Sequence, residues 1–282
     1  MSLTNPVPDL EAGIQYWATQ PANYDGVLGG FGTGSLPRVD SLGSRRFLLD
    51  LLPELSTVPS PFQSLSGPPS KTQRVRALDV GAGVGRVTSD VLLHLVSDVV
   101  LLEPVEPFIN EARSRGKASE SGSEINDSGY RVLWKGIADR SKSVTFFKGA
   151  LQSFDPIAPG TPLDRVGYLP QDGDDETETG FDVIWCQWCL GHLKDDDLAQ
   201  FLQRSKKALR DTRSLIVVKE NICGEQNEPL TVFDEQDSTF HSVYLAFKIF
   251  SGCWSQIIQE KFNTGFPKAV SCKKCTYALR EA

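Results

Sequence analysis

The sequence predicts an α/β fold, doubly wound around a mainly parallel sheet, and three observations carry that expectation. Short apolar runs alternate with helical patterns across residues 74–282. The first of these runs passes directly into a glycine turn that opens a helix, and an acidic residue closes the second run. With residues 1–52 read as an N-terminal helical extension, the pattern is Rossmann-like.

Each element can be justified in order. Residues 53–73, PELSTVPSPFQSLSGPPSKTQ, are rich in Pro, Ser and Gly and read as a linker loop joining the extension to the main domain. Residues 76–80 (RALDV) form the first strand pattern and run into Gly81-Ala82-Gly83-Val84-Gly85, after which residues 86–95 read as a helix. Residues 98–102 (DVVLL) are a second strand ending in Glu103, and residues 107–113 open the next helix. Strands follow at 144–148 (VTFFK), 181–188 (FDVIWCQW) and 214–219 (SLIVVK), with a helix at about 196–209 between the last two. Two stretches break the alternation and read as surface insertions, near 116–139 and 156–180. The second carries Asp172, Asp174, Asp175, Glu176 and Glu178, an acidic run of the kind that is usually a solvated loop.

Size and composition set bounds. A chain of 282 residues with 40% hydrophobic residues can bury a substantial core in one embellished domain. A net charge of −7 argues against nucleic acid or an anionic membrane as a partner, since both select a basic field, and favours a cationic one. Residues 1–10 have no basic start followed by an apolar run, and no segment approaches the ~20 apolar residues of a membrane span. The expected compartment is therefore the cytoplasm, with the nucleus as a second.

The six cysteines lack the density of a disulfide scaffold. Cys186/Cys189 and Cys272/Cys275 have zinc-like spacing. In a strand, however, Cys186 and Cys189 would point to opposite faces, so no metal is expected.

The glycine turn suits a nucleotide-like cofactor, because glycines let the backbone approach a ligand and the next helix offers unpaired N–H groups. A dinucleotide fingerprint needs a third glycine at position 86, which is Arg here. Glu103 stands where a carboxylate accepts both hydroxyls of an adenosine ribose. A polar position after the third strand, Leu151-Gln152, can flank an adenine. This combination favours S-adenosylmethionine over a nicotinamide cofactor.

At that point the sequence resembles the α-N-terminal protein methyltransferases, which methylate the free α-amino group of proteins beginning X-Pro-Lys. The resemblance rests on Tyr16-Trp17 with residues 25–32 (DGVLGGFG), 79–86 (DVGAGVGR), 184–193 (IWCQWCLGHL), 218–221 (VKEN), 233–238 (FDEQDS) and 277–280 (YALR), in the family's order. It implies that Gly81, Arg86, Glu103, Pro104, Val105, Leu151, Gln152 and Gln187 hold S-adenosylmethionine. It further implies that Trp17, Leu28, Trp188, Asn221 and Asp234 line a peptide channel, and that His192 and Asp237 flank the reacting amine. The sequence departs from the family pattern in its two insertions and at His241.

The chemistry agrees with these residue types. Methyl transfer to nitrogen requires a neutral amine aligned with the donor, and an α-amino group, with a pKa of ~7.7–8.0, needs only a modest base at neutral pH. Asp234, Glu235 and Asp237 form an acidic cluster that reads either as an exposed turn, above all at Glu235, or as a functional set in which one carboxylate orients or deprotonates the amine and another pairs with a substrate lysine. Two other readings remain open from the residues: a related methyltransferase acting on a small molecule or a lysine side chain, and a noncatalytic or nicotinamide-binding protein with the same pocket.

Overall fold

A computed structural model describes residues 7–56, 74–122, 125–126, 129–130, 132–170, 180–222, 231–242, 256–263 and 273–280. The extension supplies three helices. In α1 (Leu10–Ala18), the Asp9 side chain caps by accepting the Ala12 N–H. Asn23 does the same for Gly26 in the short α2 (Tyr24–Val27), and α3 (Leu36–Leu51) starts with proline in its first turn.

The main domain then runs β1 (Arg76–Val80), α4 (Arg86–Asp90), β2 (Asp98–Glu103) and α5 (Glu106–Glu120). A small hairpin follows, β3 (Ile125–Asn126) and β4 (Gly129–Tyr130), and after it β5 (Ser143–Lys148), β6 (Asp164–Gly167), β7 (Val183–Gln187), α6 (Asp195–Lys207) and β8 (Leu215–Ile222). A second hairpin, β9 (Thr231–Asp234) and β10 (Thr239–Ser242), precedes β11 (Gln256–Asn263) and β12 (Lys273–Arg280). Helix α6 carries Asp195, Asp196 and Asp197 in its first turn and Arg204, Lys206 and Lys207 in its last, which complements the helix dipole at both ends.

Eight strands form one sheet in the order β11-β12-β8-β7-β1-β2-β5-β6. The central five are parallel, as expected for a doubly wound fold, and β6, β12 and β11 pair antiparallel at the two edges. Successive side chains of a strand point to opposite faces. Accordingly Ala77, Val99, Leu101 and Val217 join one buried cluster, closed by Phe47 and Leu48 of α3, while Leu78, Val100, Ile184 and Val218 join the other. Part of the extension is thus core. Among the described residues, no helix is long and apolar enough to cross a membrane.

Four expectations need correction. The stretch 156–180 is not all surface insertion, because it supplies the edge strand β6, which pairs with β5 and buries Val166. The stretch 116–139 is not all surface, because α5 continues to Glu120 and both Trp134 and Ile137 are buried. A Cβ on Gly116 would lie 2.9 Å from the Phe146 ring, and Trp134 stacks on that same ring at 6.0 Å. Small residues there serve close helix-on-sheet packing, which composition alone reads as a loop. The helix expected over 86–95 gives way after Asp90 to a 3₁₀ turn, Leu92–His94. Cys186 and Cys189 do not face opposite ways: the strand ends at Gln187, so Cys189 sits in the following turn and both thiols pack in one cluster. Burial pushes both thiols well above the usual range, and the Cys189 thiol donates to the Val80 carbonyl at 3.4 Å. Cys223, Cys253, Cys272 and the acidic run of 172–178 lie outside the described residues, as does the side chain of Cys275.

Candidate active site

The winding reverses at β1, with β2 and β5 on one side and β7 and β8 on the other. Loops leaving the carboxyl ends of β1 and β7 therefore diverge and open a crevice, the place where open α/β sheets bind ligands. A cavity of about 350 Å³ fills it, within the range of small-molecule sites.

One half of the cavity is made by the sheet edge. Gly81 has φ +61°, and a Cβ there would come within 2.6 Å of the Cys189 Cβ, so glycine is required both by the backbone and by the turn after β7. Glu103 is 3% exposed; its Oε2 accepts the Gly83 N–H at 2.7 Å and its Oε1 accepts the Val105 N–H at 2.8 Å. Burial outweighs these donors and raises its pKa to about 7. Asp79, which accepts the Thr88 hydroxyl at 2.6 Å, is raised to about 6, again by burial. The opposite wall carries Leu151 and Gln152, whose carbonyls accept from Arg204 of α6 at 2.8 and 3.1 Å. The helix thereby fixes this loop without entering the cavity.

Beneath the edge lies a polar network. Asp40 of α3 is fully buried and accepts from Arg86 at 2.8 Å, Lys219 Nζ at 2.6 Å and Gln187 Nε2 at 3.0 Å. Burial opposes ionisation of Asp40, but Lys219 and Arg86 prevail and hold it well below the usual carboxylate range. Burial lowers the Lys219 pKa, with Asp40 opposing the shift.

The other half is built by the extension, the turn after β7 and the β9–β10 hairpin. Trp17 Nε1 donates to His192 Nε2 at 3.2 Å; an indole can only donate, so this ring nitrogen is an acceptor and a neutral His192 carries its proton on Nδ1. Gly13 lets α1 close on the pair behind it: a Cβ there would lie 3.2 Å from His192 Nδ1 and 3.3 Å from the Asp237 carbonyl. The Thr239 hydroxyl donates to Asp237 Oδ1, and the Asp9 N–H donates to Ser238 Oγ at 2.8 Å, tying α1 to the hairpin turn. Glu220 Oε1 accepts the N–H groups of Cys189 and Leu190, both at 3.0 Å, and so holds the turn that presents His192.

The structure brings nearly all the expected site residues together. Gly81, Arg86, Glu103, Pro104, Val105, Leu151, Gln152 and Gln187 line the cavity, and so do Trp17, Leu28, Trp188, His192 and Asp237. Asp234 does not. It is half-buried at the end of β9, and, after burial and Asp237, its charge contributes to raising the Tyr16 pKa. Asn221 belongs to β8, opposite Lys274 of β12, but its side chain lies outside the described residues, as does that of His241. Sequence reasoning missed Gly13, Asp40, Lys219 and Glu220. Asp40 had a readable signal: it shares the helical period of Leu36, Ser44, Phe47 and Leu48, all buried, and a charge on that face implies a buried partner.

Comparison with known proteins adds an independent line. The model of a family described as AdoMet dependent proline di-methyltransferase matches residues 8–280. Alpha N-terminal protein methyltransferase 1 of Arabidopsis thaliana is 32% identical over 95% of this chain and 78% of its own length. The protein of the same name from Schizosaccharomyces pombe is 32% identical over 94% and 93%. N-terminal Xaa-Pro-Lys N-methyltransferase 1 of Danio rerio is 30% identical over 90% and 88%. Among solved structures, a SAM-dependent methyltransferase from Leishmania major superposes with a TM-score of 0.63 at 24% identity, covering 96% of this chain and 82% of the other. The N-methyltransferase NodS of Bradyrhizobium japonicum, in complex with S-adenosylhomocysteine, gives 0.55 at 11%, covering 96% and 98%. These two likenesses concern the fold.

Proposed function

The chain belongs to the AdoMet-dependent proline di-methyltransferase family, and we propose that it transfers methyl groups from S-adenosylmethionine to the free α-amino group of proteins that begin Xaa-Pro-Lys. The single observation that carries this reading is geometric. One cavity holds both a buried ribose-type carboxylate, Glu103, and a His192–Asp237 pair roofed by the extension.

The residues present fit the cofactor. Glu103 has each oxygen anchored by a backbone N–H and retains lone pairs for the two ribose hydroxyls. Arg86 is the only Lys or Arg that lines the cavity among the described residues, and it suits the carboxylate of the cofactor's amino-acid end. Leu151 and Gln152 offer one apolar and one polar contact for the adenine. When bound, S-adenosylmethionine supplies the electrophilic methyl group on its sulfonium.

The chain's own residues do the rest. Asp237 accepts the ammonium proton through Oδ2, its Oδ1 being engaged by Thr239, and leaves the amine its lone pair. His192, whose Nε2 is held by Trp17, forms the wall beside the amine and fixes the space it occupies. Trp17, Leu28 and Trp188 wall the channel around the substrate proline. Asp234, whose charge is felt at Tyr16, meets the lysine of the third position, and the family resemblance assigns Asn221 to the peptide as well. The site sits in the cytoplasm or nucleus in this reading, where such N-termini are exposed after Met removal.

Turnover of three peptides tests the proposal. A Ser-Pro-Lys peptide should be methylated, its N-acetylated form should be inert, and Ser-Pro-Glu should react far more slowly, because a carboxylate would face Asp234 and Asp237. Equal turnover of the acetylated peptide would contradict the α-amine reading and favour a side-chain methyltransferase.

A further inference from the structure

The Asp40 network divides its labour between the two carboxylate oxygens. Oδ1 takes Lys219, which is 1% exposed and also donates to Ser44 Oγ at 2.8 Å. Oδ2 takes Arg86 and Gln187, the two members of the network that line the cavity. Gln187 is fixed at its other end as well, because its Oε1 accepts from Trp185 Nε1 at 3.1 Å. Its amide therefore has one orientation, with the NH₂ toward Asp40. Arg86 spends one donor on Asp40 and lies with its guanidinium 5.4 Å over the Trp188 ring.

Charge points the same way. Asp40 faces two basic side chains where none of the three is more than 5% exposed at the side chain, and the buried Asp79 carboxylate also acts on Arg86. A buried charge is costly unless it is paired. Of these basic groups, Arg86 is the one that opens on the cavity, so an anionic end of a ligand would meet it there.

We infer that Asp40 and Lys219 are positioning residues for the carboxylate end of the cofactor: Lys219 holds Asp40, and Asp40 aims Arg86 and Gln187 into the cavity. This rests on the S-adenosylmethionine reading of the cavity. Because Asp40 belongs to α3, it also makes the extension a structural part of the cofactor half. The chain 1–52 therefore contributes more than a roof to the peptide channel.

The test uses two ligands that differ at that end. S-adenosylhomocysteine carries the carboxylate, whereas methylthioadenosine keeps the adenine and ribose and lacks the amino acid. In Asp40→Asn, the amide cannot accept Lys219 on one atom and both Arg86 and Gln187 on the other, since one of its atoms is a donor. The Kd for S-adenosylhomocysteine, measured calorimetrically on the full chain, should rise about tenfold or more, the scale of a charge-assisted hydrogen bond. The Kd for methylthioadenosine should change less than about twofold. Lys219→Met keeps a neutral buried Asp40–Arg86 pair and so guards against misfolding; it should show the same selectivity with a smaller loss. Equal weakening of both ligands, or unchanged S-adenosylhomocysteine affinity in either variant, would overturn the inference. Failure of the unsubstituted protein to bind S-adenosylhomocysteine would instead overturn the cofactor reading beneath it.

Discussion

The two halves of the cavity are built on different principles. The cofactor half is a sheet edge: left-handed glycines, a 3% exposed glutamate held by two backbone N–H groups, and an arginine anchored on a fully buried aspartate. The substrate half is assembled from three pieces distant in sequence, with α1 tied to residue 238 by one hydrogen bond and to His192 by another. The lesson is that the first half is built from contiguous backbone at the sheet edge, whereas the second depends on side chains that bring separate segments of the chain together. Substitutions in the two halves should therefore separate cleanly in kinetics.

The largest effect should come from Asp237→Asn, which keeps the shape and removes the proposed base. Its kcat should fall about 10²-fold or more at saturating peptide, with cofactor affinity nearly unchanged. Loss of cofactor binding in that variant would break the division between halves. Glu103→Ala should do the reverse, weakening S-adenosylhomocysteine by about tenfold to hundredfold, as when a charge-assisted hydrogen bond is lost, with little change in kcat once cofactor is saturating.

Glu103 also gives a pH signature. Its folded pKa is raised from 4.5 to about 7, so without ligand the folded state binds the proton more tightly than the unfolded chain. This contribution to stability is fully present below about 4.5 and is lost as the pH rises to about 7. Ribose hydroxyls donate to the ionised form, so cofactor affinity should run the other way, falling by up to about tenfold per unit as the pH drops below that value. Calorimetric titrations from neutral to mildly acidic pH check this; a flat affinity would mean that Glu103 is already ionised or is not the ribose ligand.

The smallest effect is expected in the substrate half. Trp17→Phe keeps a smaller aromatic wall and removes the N–H that holds His192 Nε2. Loss of one neutral hydrogen bond, about 0.5–1.5 kcal/mol, should lower kcat by a few-fold and leave cofactor binding untouched. A drop as large as that in Asp237→Asn would show that the His192 orientation contributes as much as the base itself.

The halves also differed in how far the sequence revealed them. The cofactor half was legible from local pattern, because strand, glycine turn and helix are contiguous and Glu103 closes the next strand. The substrate half was legible only through family resemblance: nothing local says that Trp17, His192 and Asp237 meet. What stayed hidden was long-range pairing of buried charge, as between Asp40 and Lys219, and close approach at Gly13, which depends on where α1 lands. The 116–139 stretch misled for a related reason, since composition cannot distinguish a Ser- and Gly-rich loop from a tightly packed helix end.

The central claim is that the Glu103 and Asp237 halves serve one reaction on a free α-amine. Fragmentation mass spectrometry of a Ser-Pro-Lys peptide, after incubation with the protein and S-adenosylmethionine, tests it most directly. The account predicts methyl groups on the N-terminal nitrogen and none on the lysine side chain. Methylation confined to the lysine, or a peptide left unmodified by a protein that binds the cofactor, would contradict it.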